Sequence, residues 1–243
     1  MSLAGNTVLV TGGATGIGLA ITERYLKAGS QLLICGRRED RLQEVKKKHP
    51  GVRTFVCDVG KGADRIKLYE WATRECPNLN VLVNNAGIQR HLELGAQEDW
   101  HKTEEEIAIN LHAPIHLARL FTPHLLKQKS PAIVNVTSGL AFSPLARVPV
   151  YSATKAALRS FTLSLRHQLK GTPIKVVEII PPAVNTDLGG VGLHDFGVNL
   201  DEFADSVMAR VDRGDLEVPF GMSEKSSQAS RADLDKVFAM MNQ

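Results

Sequence analysis

Hydrophobic residues along this chain fall into short, nearly continuous runs, separated by longer stretches in which they recur every three or four positions. The runs 7–11 (TVLVT), 31–35 (QLLIC), 53–57, 81–84, 132–137, 174–180 and a short 216–220 predict strands, most of them buried on both faces. Between them, 17–28, 39–48, 61–76, 102–128, 151–170, 201–213 and 224–241 predict helices. In the longest of these, Ile107, Leu111, Ile115, Ala118 and Leu125 form one apolar stripe. In the last, Leu234, Val237, Phe238 and Met241 share roughly one side, as either intramolecular core or a subunit contact. Strictly alternating strands and helices predict an α/β chain with a seven-stranded parallel, doubly wound sheet flanked by helices. There is no internal repeat, low-complexity tract or linker, so residues 1–243 read as a single domain. Ligands of such a sheet gather at the carboxyl ends of its strands.

Composition changes this picture little. Hydrophobic residues make up 43% of the 243 and charged residues 23%, ordinary values for a globular protein. The formal net charge of +3 is spread along the chain, which argues against a nucleic-acid surface. No apolar stretch approaches a membrane span, and the first strand begins too early for a signal peptide. Cys35, Cys57 and Cys76 form no CxxC pair, and two of them fall at predicted buried strand ends. They read as small buried hydrophobes in a reducing cytoplasm. His112 and His116 have the spacing of a metal pair but lack a further ligand at matching spacing, so no metal site is expected. Asn135-Val-Thr137 matches a glycosylation sequon but lies in an apolar strand and reads as inert.

The first candidate chemistry follows the first strand. Gly12-Gly-Ala-Thr15-Gly16-Ile17-Gly18 separates strand 7–11 from a helix that ends near Gly29. Such a loop presents backbone N–H groups and the positive end of a helix to a pyrophosphate. Gly12 allows the tight turn, Gly16 the approach of the phosphates, and Gly18 close packing of helix on strand. At the end of the second strand, Gly36-Arg37-Arg38 carries no carboxylate for a ribose 2′-hydroxyl. Two guanidinium groups suit a 2′-phosphate instead, so NADP is favoured and NAD is less expected. Glu39 and Asp40 fit the first turn of the next helix.

The second candidate is Tyr151-Ser-Ala-Thr-Lys155, with Ser138 thirteen positions earlier. On a helix, Tyr151 and Lys155 share a face. The ammonium is expected to lower the phenol pKa from about 10, and Ser138 to hold a substrate oxygen while Tyr151 moves its proton.

Together, TGGATGIG (Thr11–Gly18), Asp58-Val59, Asn84-Asn-Ala-Gly87, Asn110, Ser138 and Tyr151…Lys155 resemble the short-chain dehydrogenase/reductase family, whose domain is a Rossmann fold. The order and spacing match over nearly the whole chain. Within that family, Pro77–Gln89, Thr137–Ala146 and Asp233–Asn242 look like the DltE-type oxidoreductases. The resemblance implies that Asp58 bonds the adenine amino group beside the Val59 main chain. Asn85, Ala86 and Gly87 would line the adenosine side, while Asn84 braces the sheet. Pro181, Val184 and Thr186 would contact the nicotinamide from the loop after the sixth strand. Lys155 would also hold the nicotinamide ribose, and Asn110 would anchor a water relay to Lys155. The family usually has Pro-Gly where this chain has Pro181-Pro182, which puts the path of that loop in question. The resemblance further implies a homodimer or homotetramer.

Pro114 lacks the N–H that the Asn110 carbonyl would accept from in an α-helix, so it is expected either to open the relay site or merely to kink the helix. The glycine-rich stretch 188–199 reads as a substrate lid or a plain connection. A substrate pocket is expected from 139–146, 89–95 and the lid, with Leu140, Phe142, Leu145 and Leu193 as apolar walls. The expected activity is NADP-dependent hydride transfer to or from a small-molecule carbonyl/alcohol pair, with Tyr151 as acid/base. One alternative is a catalytically silent NADP-binding regulatory or interaction protein. A sugar-nucleotide epimerase or dehydratase is a further one, disfavoured because such chains usually need a separate substrate domain and 57 residues stand after Thr186 (243 − 186).

Overall fold

All seven expected strands form, in one sheet of order β3-β2-β1-β4-β5-β6-β7 with every neighbouring pair parallel. They are β1 (Thr7–Thr11), β2 (Gln31–Gly36), β3 (Arg53–Val56), β4 (Val81–Asn84), β5 (Ala132–Val136), β6 (Lys175–Ile180) and β7 (Glu217–Pro219). The computed structural model describes residues 2–97 and 99–243. The helices are α1 (Gly16–Lys27), α2 (Glu39–Lys48), α3 (Gly62–Glu75), α4 (Trp100–Ile107), α5 (Ala113–Leu125), α6 (Pro149–Gln168), α7 (Leu200–Arg213), α8 (Met222–Gln228) and α9 (Arg231–Met241).

The continuous apolar runs follow from burial on both faces. Val8, Val10, Val81 and Val83 point to one side, where Ile21 and Tyr25 of α1 and Phe203 and Val207 of α7 complete a core. Leu9, Leu82 and Ile133 point to the other side, against Leu68 of α3 and Leu117, Phe121 and Leu125 of α5. Among the described residues, no helix is long and apolar enough to cross a membrane.

Two expected helices are broken. The 102–128 stretch divides into α4, a π turn over Ala108–His112, and α5. Pro114 cannot supply an N–H to the four-residue ladder, and the chain takes in an extra residue: Ala113 N–H bonds to Ala108 O, five residues back. The 224–241 stretch divides at Ala229-Ser230. There the Ser230 side chain accepts from Asp233 N–H and caps α9.

A buried ion pair lies close to the site. Glu178 of β6 is fully buried; it accepts from Thr137 Oγ1 at 2.8 Å and pairs with Arg159 of α6 at 2.6 Å. Burial holds the Glu178 carboxyl above its ordinary range, against the pull of Thr137 and Arg159. Arg159→Leu is expected to destabilise the fold by about 3 kcal/mol, because the carboxylate loses its counter-ion. A carboxyl whose pKa is raised in the native state loses stability as pH rises, so the deficit should be larger at about pH 8 than at about pH 5. Urea unfolding of both proteins at the two pH values measures this, and equal deficits would contradict it.

Candidate active site

The sheet order reverses between β1 and β4, and the loops leaving these strands diverge to open a crevice. The loop after β1 enters α1 through Thr15, which occupies the N-cap position without a side-chain cap bond, and no acidic residue stands in the first turn. The unneutralised helix end therefore faces the crevice. Gly12 has φ 66° and Gly16 φ 52°, values open to glycine. A Cβ on Gly18 would lie 2.2 Å from the Gly12 carbonyl oxygen, so its role is close approach. Ile17 packs against the core beneath the loop.

The loop after β4 is tied to the glycine loop. Thr11 Oγ1 accepts from the backbone N–H of Asn85 and of Ala86, each at 3.0 Å. Asn85 Nδ2 donates to Thr11 O at 3.0 Å, so this side chain braces the glycine loop. Asn84 Nδ2 donates to Asn135 Oδ1 at 2.9 Å, and Asn135 donates on to Thr162. Gly87 lies against Asn110 and Lys155.

Asp58, Val59, Arg37 and Arg38 line the outer end of the same cleft. Asp58 Oδ1 accepts from Gly60 N–H, and Val59 O accepts from Arg65, whose Nε donates to His116 Nδ1. The two arginines differ. Arg37 pairs with Glu105 at 2.5 Å, whereas Arg38 donates to Thr15 Oγ1 at 3.0 Å beside the phosphate loop.

At the inner end of the cleft stand Ser138, Tyr151 and Lys155, all buried, whereas Asn110 is buried without lining it. Ser138 follows β5, and its Oγ accepts from Leu140 N–H at 3.1 Å. Tyr151 lies in the first turn of α6, with Lys155 one turn on. Lys155 Nζ donates to Val136 O at 2.9 Å and lies 5.5 Å from the centre of the Tyr151 ring. Asn110, in the π turn, donates to Ile88 O and accepts from Ile88 N–H at 2.8 and 2.9 Å. Against the expected acidification by Lys155, the buried Tyr151 phenol stands above its ordinary range. Burial raises it most, the Ser138 hydroxyl pulls it down and the charge of Glu106 adds a smaller rise, which together leave the phenol at about 12. Burial also lowers the Lys155 ammonium to about 8.

Pro181, Val184 and Thr186 line the cleft between these two ends. Pro181 O accepts from Gly139 N–H at 2.9 Å, Val184 bridges to Val198, and Thr186 stands over Gly16. No residue of this loop has positive φ, so Pro182 takes the place of glycine in a conformation open to proline.

The cleft has a volume of about 970 Å³. Its lining includes Leu140 and Leu145, two of the apolar residues singled out in the sequence, and Leu188, His194 and Phe196 of the 188–199 stretch. Phe142 instead stacks under the Arg159 guanidinium at 4.5 Å, and Leu193 faces a smaller neighbouring depression. Sequence reasoning missed the wall made by Met222 and Ser223 of α8 and by Val237, Met240 and Met241 of α9. No residue of α9 is buried in the core. Asn242 fastens the helix end to the substrate loop, accepting from Ala146 N–H at 2.5 Å and donating to Pro144 O at 3.1 Å.

A family model described as short chain dehydrogenase matches residues 6–192. The chain is 48% identical over 248 residues to the uncharacterized oxidoreductase DltE of Bacillus subtilis (strain 168), covering 100% of this chain and 98% of the relative. It is 35% identical over 182 residues to the NADP-dependent 3-hydroxy acid dehydrogenase YdfG of Escherichia coli (strain K12), covering 73% and 72% of the two chains. The crystal structure of a short chain dehydrogenase from Burkholderia cenocepacia J2315 in complex with NADP superimposes over 100% of both chains, with a TM-score of 0.85 and 25% identity.

Proposed function

The chain belongs to the short-chain dehydrogenase family, and from that premise we propose that it is an NADP-dependent oxidoreductase acting on a carbonyl/alcohol pair. The observation that carries the reading is the convergence of Ser138, Tyr151 and Lys155 with the glycine loop in one cleft. The residues fit a dinucleotide: Gly18 is a cradle that a Cβ would fill, and the α1 end lacks any acidic neutraliser. Gly12–Gly18 would hold the pyrophosphate, Asp58 and Val59 the adenine, and Val184 and Thr186 the carboxamide. When bound, the nicotinamide supplies the hydride or, in the reverse direction, accepts it.

In reduction, Ser138 Oγ–H would donate to the substrate oxygen and fix its position. Tyr151 Oη–H would give its proton to that oxygen as negative charge develops. Lys155 would hold the ribose and, as a cation beside the ring, favour the phenolate left behind. Asn110 keeps Ile88 in place. Because Pro114 offers no N–H to the Asn110 carbonyl, a water bound there would link Lys155 to solvent. The stretch 188–199 would act as the substrate lid.

Loss of NADPH absorbance with a panel of ketones and aldehydes tests the activity. Turnover that collapses in Ser138→Ala supports it, and NADPH binding without turnover on any panel member would favour a silent binding protein. For the cofactor, Arg38→Ala is expected to lower the NADPH/NADH ratio of kcat/KM by about tenfold or more, the size of one charge-assisted hydrogen bond. Arg37→Ala should change it less, since Glu105 already occupies that guanidinium. An unchanged ratio in both variants would remove the NADP preference. A homodimer or homotetramer, read by sedimentation, would accompany the activity.

A further inference from the structure

We infer that Glu106 is a positioning residue for Tyr151: its carboxylate, buried on the edge of α4 that packs against α6, opposes the phenolate and reinforces the burial that keeps Tyr151 in its proton-bearing form. This rests on the acid/base role proposed for Tyr151.

In the sequence, Glu106 closes a run of three glutamates, Glu104 to Glu106. In the structure it is 2% exposed, and its Oε1 is buried with no hydrogen-bond partner. In an all-parallel sheet the connecting helices run in one common direction, so α4 and α6 lie side by side with the same polarity. Asn110 Nδ2 lies 3.3 Å from Thr154 Oγ1 of α6. One turn back on each helix stand Glu106 on α4 and Tyr151 in the first turn of α6, and the Glu106 charge raises the proton affinity of the phenol.

The charged groups around Glu106 leave it incompletely matched. On its own helix, Glu105 turns outward to Arg37 and Arg90. From the loop after β4, the Arg90 backbone N–H and guanidinium face it, but that guanidinium is already bound to Glu105 and to Lys102 O. From α6 come Tyr151 and, one turn further, Lys155, which is engaged with Val136 O. Asn110 thus holds Ile88, while Glu106, one turn earlier, faces Arg90 of the same segment.

Burial pushes the Glu106 carboxyl up to about 7, with Arg90 pulling the other way. Above that pH the group is charged and disfavours a neighbouring phenolate; below it the opposition disappears. The proton affinity of Tyr151 therefore follows the charge state of Glu106. The charged form suits reduction, where Tyr151 must carry a proton, and restrains oxidation, where it must accept one.

Glu106→Gln tests this, since the amide keeps the shape and an acceptor for Arg90 N–H but not the charge. In the NADPH-driven reaction, the alkaline fall of kcat/KM is expected to move down by about one pH unit, and the alkaline rise of the NADP-driven oxidation to move with it. That shift corresponds to about tenfold more phenolate at fixed pH. Glu106→Asp, which keeps the charge, should restore the limbs toward their original positions. Unmoved limbs in Glu106→Gln, with reduced stability in Glu106→Leu, would overturn the proposal and leave Glu106 a mere brace. A second readout needs neither turnover nor the variant. In the free wild-type protein, the ¹³Cζ signal of Tyr151, assigned through Tyr151→Phe, should inflect where the Glu106 ¹³Cδ signal titrates. A flat Tyr151 signal there would also overturn it. Absence of turnover in the wild type would count against the proposed activity while leaving this readout intact.

Discussion

Tyr151→Phe is expected to lower kcat by at least about a hundredfold, the lower end of what one positioned acid–base group contributes. NADPH affinity should stay nearly unchanged. The change removes one oxygen from a ring that is 7% exposed, and it leaves the ring volume and the packing of α6 in place. Lys155 keeps its bond to Val136 O and its place beside the ring. What disappears is the proton that the substrate oxygen must receive, and neither Ser138 nor Lys155 can supply it in the same geometry. Steady-state rates together with NADPH fluorescence titration separate the two effects. A variant that kept most of its kcat would remove Tyr151 from the chemistry.

Gly18→Ala should produce the largest loss of cofactor binding. The added Cβ would lie 2.2 Å from Gly12 O and 2.4 Å from Asn85 Nδ2. The first is a backbone atom that cannot swing aside, so either α1 moves off the sheet or the glycine loop refolds. Either movement breaks the Asn85 bonds to Thr11 O and Gly12 O and redirects the helix end. NADPH affinity is expected to fall by about tenfold or more, equivalent to about 1.4 kcal/mol, and stability by about 1–3 kcal/mol from overpacking. Gly171→Ala is the matched control, because nothing lies within 4 Å of a Cβ placed there. Calorimetric titration with NADPH and urea unfolding give the two numbers. Equal behaviour of the two variants would mean that the loop tolerates a side chain and that close approach is not its function.

By itself the sequence determined the layers and the order of the elements. Strands buried on both faces must be apolar throughout, and helices packed on one side must be apolar every three to four residues, so each period could be read locally. It also determined the spacing of Tyr151 and Lys155, because four residues make about one helical turn, and the positions where only glycine fits the phosphate loop. The break at Pro114 was visible as a missing N–H, but not that a π turn over Ala108–His112 absorbs it. The difference between Arg37 and Arg38 was not legible, since the partner that occupies Arg37 is Glu105, 68 positions away. Nor was the substrate wall from α8 and α9, whose methionines look like ordinary core until the chain folds them over the cleft. Glu106 makes the distinction plainest. Its identity as a carboxylate is local, whereas its proton affinity depends on water being excluded by α6 and on Arg90 being engaged elsewhere. Periodicity and spacing act between neighbours along the chain. Burial and charge pairing act between neighbours in space, and only the tertiary structure brings those together.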